Sequence, residues 1–135
     1  YATGGLAGTA QDASARGIVG MCVASGLYDL GPMRECFANE WLQLDEDDLI
    51  DLAPIQRLPA ASLPMMVAAG ALEPQGFLRQ QALYVQCLRA AGAHPDLYVA
   101  PGHDHFTLIG EFGRAGSPLY DWLLDRRQPA PGAST

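Results

Sequence analysis

The stretch APGHDHFTLIG, residues 100–110, sets His103 and His105 on either side of Asp104, directly after a Pro-Gly break. Three chemistries fit such a trio. As metal ligands the two imidazoles would need at least one further donor at supporting spacing, and the sequence offers none, so no metal is expected. As a general base, one imidazole would need a carboxylate to hold its tautomer and a nucleophile to deprotonate. As a polar turn, neither ring would do chemistry. A carboxylate for the second reading is Glu73, in ALEPQGF. It also has a purely structural reading, because Pro74 suits the first position of a helix and a carboxylate there meets the positive end of the helix dipole.

These residues must be brought together by the elements around them. The chain has 135 residues and a formal charge of -7, which fits one domain, or a piece of one, with a modest core. Its basic residues are all arginines, scattered singly apart from Arg126 and Arg127, so no basic face is expected to neutralise nucleic-acid phosphates. The apolar stretch LPMMVAAGAL is broken by proline and about half the length of a membrane span; no membrane association is expected. No C-x-x-C pair links Cys22, Cys36 and Cys87, which read as buried reduced thiols of a cytoplasmic protein. There is no signal-peptide pattern, and the opening YATGGLAG reads as a chain whose upstream part is absent. The lack of lysine beside abundant alanine, glycine and arginine points to a GC-rich bacterial source.

Along the chain, GGLAGTAQDASAR reads as a helix ending before Gly17. Ile18–Ser25, Leu63–Gly70 and PDLYVAPG read as strands, the first two as unbroken apolar runs suited to a sheet covered on both faces. Residues 25–60 form an irregular, cap-like insertion. Within it Asp45 is a helix N-cap followed by Glu46, Asp47 and Asp48, which are not arranged to converge on a metal. GFLRQQALYVQCLRAAG is an amphipathic helix with Phe77, Leu83, Tyr84, Cys87 and Leu88 as its inner stripe, closed by Gly92. SPLYDWLLDRR is a helix capped by Ser117, and residues 128–135 are expected to be a disordered tail. The order is α/β with parallel strands. Three strands alone leave a hydrophobic edge open, which a homodimer or missing segments of chain would complete.

In open α/β sheets ligands bind beyond the carboxyl ends of the strands. Ser25, Tyr28 and Asp29 follow the first strand, Glu73 the second, and His103, Asp104 and His105 the third. Tyr28 and Asp29 either line a pocket or anchor the turn that starts the insertion. Phe37 and Trp41 either cover an aromatic acyl or aryl group or pack the insertion onto the core. His103 reads as a residue at the pocket's edge, Asp104 as a turn or cap residue, and His94 as solvent-facing.

The segments SGLYDLGPM, AAGALEPQGFLRQQ and GHDHFTLIGEFGRAGSPL, in that order, resemble the C-terminal half of the kynurenine formamidase-like branch of the α/β-hydrolase fold, which includes carboxylesterases. The resemblance implies that residues 1–127 are the C-terminal part, three strands with flanking helices, of an incomplete α/β-hydrolase domain. It implies hydrolysis of a small-molecule carboxylic ester or aryl formamide by a Ser-His-acid triad, without metal or organic cofactor. His105, directly before Phe106, matches the family's catalytic base. Glu73, four residues before Phe77 and the Arg79-Gln80 pair, matches its acid, usually aspartate. The opening matches the family's nucleophile elbow with Ala2 at the nucleophile and the backbone N–H of Thr3 in the oxyanion hole. Alanine cannot attack a carbonyl, and the family's upstream His-Gly-Gly type loop is not among these residues. The alternative is a catalytically inactive relative that keeps the pocket and binds a small ligand or a protein partner.

Overall fold

The computed structural model describes residues 17–126; the expected first helix, Ala2, Thr3 and the expected tail lie outside the described residues. Three parallel strands, β1 (Met21–Ala24), β2 (Met65–Gly70) and β3 (Asp96–Ala100), form a sheet in the order β1-β2-β3. The registers run from Met21 opposite Met65 and from Met66 opposite Asp96. β2 is central and buried along its whole length, whereas β3 is largely exposed. β1 is shorter than its apolar run at both ends: pairing with β2 begins only at Met21, and Ser25, in the left-handed region at φ 51°, ends the extended chain.

Alternate residues of β2 point into two cores. Met65 and Val67 face Tyr84, Val85 and Leu88 of helix α4 (Gln75–Ala90). Met66 and Ala68 face Leu108, Leu119 and Trp122, the last two on helix α5 (Pro118–Asp125). Full burial of a leucine such as Leu88 is worth about 2 kcal/mol. The expected caps are present. The Ser117 hydroxyl accepts the Tyr120 N–H. α4 ends with Gly92 at φ 85°, the Gly92 N–H donating to Arg89 and the Ala93 N–H to Leu88, a Schellman closure.

Between β1 and β2 the chain makes α1 (Gly31–Arg34), α2 (Asn39–Leu42), α3 (Glu46–Asp51) and a 3₁₀ turn at Pro54–Gln56. Asp45 caps α3, as the acidic run led us to expect, and Asp48 completes a reciprocal capping box with it; such caps stabilise a helix by about 1 kcal/mol. Two expectations are corrected. Cys22, Cys36 and Cys87 are only half-buried, although burial still pushes the Cys22 thiol up to about 11. The inner stripe of α4 is Gln80, Gln81, Tyr84, Val85 and Leu88; Phe77, Leu83 and Cys87 are only partly covered.

The two glutamines are buried because they satisfy backbone that nothing else reaches. Gln81 Nε2 donates to the carbonyls of Val67 and Tyr98, tying α4 to β2 and β3. Gln80 Oε1 accepts the N–H groups of Tyr28 and Asp29, and its Nε2 donates to the Asp29 carbonyl. The first turn of the insertion thus hangs on one side chain. Gln80→Leu should lower unfolding free energy by about 2–3 kcal/mol, read from the urea midpoint, because it leaves buried amide groups without partners. A change below about 0.5 kcal/mol would mean that water replaces all three bonds.

Candidate active site

The carboxyl ends of the three strands meet at Glu73. Its side chain is fully buried. Oε1 accepts the Gly70 N–H at 2.8 Å, from the end of β2, and the Ser25 hydroxyl, from the end of β1. Oε2 lies 3.4 Å from His105 Nδ1, beyond the end of β3. One carboxylate therefore joins all three strand ends, with one oxygen given to structural donors and the other to the imidazole. The predicted pair, Glu73 and His105, is brought together.

The His105 side chain is 39% exposed. Its ring lies against Phe77, centroids 4.5 Å apart, and edge-on to Phe106 at 5.4 Å. The loop that carries it is built on Asp104, whose Oδ1 accepts the N–H groups of Phe106 and Thr107 and the Thr107 hydroxyl. These bonds, the Thr107 N–H first, hold the Asp104 carboxyl below its ordinary value. Asp104 is thus the turn residue its position implied. The loop also lies on Gly70: a Cβ at Gly70 would sit 2.3 Å from the His103 carbonyl oxygen.

His103 takes a different partner. Its Nε2 lies 3.1 Å from Glu111 Oε1, and Glu111 is fully buried. Arg114 bonds the same carboxylate, and the Tyr98 hydroxyl reaches its second oxygen at 3.4 Å. The hydrogen bond from Arg114, foremost among several causes, holds the Glu111 carboxyl below its ordinary value. The two histidines flanking Asp104 thus belong to separate carboxylates, one on each side of the turn. The sequence did not single out Glu111; its only signal was an acidic residue eight positions after His103 in an otherwise apolar 3₁₀ segment.

A cavity of about 500 Å³ opens between the insertion and α4. Leu27, Met33 and Phe37 wall it from the insertion, and Phe77 and Leu83 from the helix. Phe77 is shared, with the cavity on one side and His105 on the other. Of the expected pocket residues, Asp29 and Phe37 line this cavity, and Tyr28, Trp41 and His103 do not. Tyr28 is 4% exposed and stacks on Tyr84 at 4.1 Å, in the core. Trp41 lies edge-on to Phe37, centroids 5.9 Å apart, and both rings are 74% exposed. His94 is exposed.

Among the described residues no group of three histidine, cysteine, aspartate or glutamate side chains is placed to hold a metal ion. No described helix is long and apolar enough to cross a membrane.

Ser25 is the site residue whose importance sequence reasoning missed. A serine at φ 51° costs about 1 kcal/mol relative to a residue that enters the left-handed region freely. Only its place at a strand end pointed to it.

A parallel sheet with helices on both faces, an acid after the second described strand and a histidine after the third define the class as an α/β-hydrolase fold. A protein from Silicibacter sp. TM1040 provisionally described as a thioesterase superimposes with a TM-score of 0.66 at 24% identity, over 76% of this chain and 37% of that one. Propionate-bound esterase 2 of Thermogutta terrifontis gives 0.50 at 16% identity, over 77% and 38%. The chain is also similar in sequence to the kynurenine formamidase of Salmo salar, 30% identical over 113 residues, and to that of Danio rerio, 28% identical over 97 residues. These alignments cover 79% and 68% of this chain but 38% and 33% of those proteins, so the chain spans little more than a third of its relatives' length. No family model matches it.

Proposed function

We propose that the chain supplies the acid–base half of a hydrolase that transfers an acyl group from a carboxylic ester or aryl formamide to water. The observation that carries this is the His105–Glu73 pair, with a buried carboxylate facing Nδ1 of a half-exposed imidazole. Glu73 holds the proton on Nδ1 and balances the imidazolium, leaving the far nitrogen to take a proton from a nucleophile. The 3.4 Å separation is long for a hydrogen bond, as catalytic contacts often are before ligand tightens them. The cavity behind Phe77 receives the apolar acyl or aryl group, and residues 25–60 act as its cap. The likeness to kynurenine formamidases supports the formamide side of this reading.

A second reading rests on Ala2, which stands where the resemblance places the nucleophile. On that reading the chain binds a ligand without turning it over. Hydrolysis of a p-nitrophenyl ester and of formanilide by the full chain, as it stands and as Ala2→Ser, with and without His105→Ala, tests both. Little hydrolysis is expected of the chain as it stands, since alanine cannot attack a carbonyl; hydrolysis by Ala2→Ser that His105→Ala removes is the expected result. Turnover only after Ala2→Ser would support the acid–base pair and favour the binding role for the natural chain. Absence of any His105-dependent hydrolysis in both forms would overturn the proposal.

A further inference from the structure

We infer that Ser25 is a positioning residue for the acid–histidine pair: its hydroxyl, delivered from the end of β1, fixes the Glu73 carboxylate so that Oε2 addresses His105. The inference deepens the hydrolase reading and rests on it.

Two independent observations meet at this residue. The first is conformational. Ser25 is one of two described non-glycine residues at positive φ, and it sits where β1 ends. Strained backbone of this kind persists where something local over-determines it, and it concentrates at functional sites. The second is the bond that this conformation makes. The hydroxyl donates to Glu73 Oε1, across 48 residues of sequence, inside a site where the carboxylate is otherwise held by one backbone N–H. A carboxylate with a single fixed donor can still turn about its last bonds. Two donors on one oxygen, from two different strands, leave the other oxygen one direction, and that direction is His105 Nδ1.

Ser25 is not the nucleophile on this geometry. Its proton is engaged by the acid, and the imidazole presents to that acid the nitrogen that a base would keep protonated. A nucleophile must instead approach the opposite nitrogen. The hydroxyl thus acts through Glu73, comparably to the partners that orient ligating histidines in metal sites.

Ser25→Gly separates this role from a structural one. Glycine accepts the left-handed conformation without strain, so the backbone loses nothing while the hydroxyl disappears. The melting temperature of the variant should fall no more than modestly, because relief of the left-handed strain offsets part of the lost bond to the buried carboxylate. The ¹⁵N shifts of the two His105 ring nitrogens, measured on the neutral ring, should report the Nδ1-protonated tautomer in the natural chain and a shift towards the Nε2-protonated one in Ser25→Gly. In the form of the chain that turns over, kcat should fall roughly tenfold with KM within about twofold. A Ser25→Gly chain with unchanged tautomer populations would overturn the inference, whatever its melting temperature. Should the natural chain itself carry the Nε2-protonated tautomer, the acid–histidine pair is absent and the hydrolase reading falls together with Ser25. Should Glu73→Gln change the tautomer while Ser25→Gly does not, the pair stands and Ser25 has no part in it.

Discussion

Gly70→Ala should cost about 2–3 kcal/mol of stability, read from the urea midpoint, and should detach His105 from Glu73. The reason is space rather than backbone freedom. A Cβ at this position would lie 2.3 Å from the carbonyl oxygen and 2.8 Å from the carbonyl carbon of His103, and 3.0 Å from the Asp104 carbonyl oxygen. All three are main-chain atoms, so no flexible side chain can swing aside. The loop must lift, or β2 must bend, and overpacking of this kind typically costs 1–3 kcal/mol. Lifting the loop also stretches the Leu72 N–H bond to the His103 carbonyl and moves the turn that carries His105. Gly76→Ala is the control. It lies on α4, where a Cβ meets nothing within 4 Å, and alanine in a helix should add about 0.5–1 kcal/mol. Equal stability of Gly70→Ala and the natural chain would mean that the loop does not rest on β2.

Gly70 illustrates which parts of this protein could be read before its fold was known. The strands around it were legible, because an unbroken apolar run of strand length has few other uses in a parallel sheet. Strand ends, where such a sheet exposes functional groups, narrowed the candidates to a few acids and two histidines; it was the family resemblance that singled out His105 and Glu73 among them. Gly70 looked like the end of a strand, which it also is. Its second role depends on a loop thirty-odd residues later crossing over it, and no local pattern encodes a crossing. Gln80 and Gln81 escaped for the opposite reason. Hydrophobic periodicity predicts an apolar stripe, so Phe77 and Leu83 were assigned to the interior, while the two amides were left out of it. The interior in fact needed donors and acceptors for the backbone of Val67, Tyr98, Tyr28 and Asp29. Phe77 and Leu83 turn instead to the cavity. Tyr28 was left open between pocket and turn because proximity to a strand end does not say which way a ring points; its ring stacks inward on Tyr84 while its backbone N–H ties the turn to Gln80. His103 shows the limit most plainly, since nothing near it in sequence distinguishes a ring paired with Glu111 from one at a pocket's edge.

Glu73→Gln should lower any His105-dependent hydrolysis by about 10³–10⁴-fold while changing stability by less than about 1 kcal/mol. The asymmetry follows from the partners of the two carboxylate oxygens. The Gly70 N–H and the Ser25 hydroxyl both donate to Oε1, so a glutamine is held with its carbonyl oxygen in that place and its amide nitrogen where Oε2 was. That orientation keeps the structural bonds, which is why the fold should tolerate the change. It also presents an N–H to His105 Nδ1. An Nδ1 that accepts must be unprotonated, and the ring proton then moves to the far nitrogen, where it blocks removal of a proton from a nucleophile. Charge and tautomer are therefore lost together. The ¹⁵N shifts of His105 read the tautomer without requiring turnover, and the hydrolysis rate of the active form of the chain reads its consequence. A glutamine variant that kept both the Nδ1-protonated ring and the original rate would show that His105 takes its orientation from its contact with Phe77, and that the buried carboxylate serves only to join the strand ends.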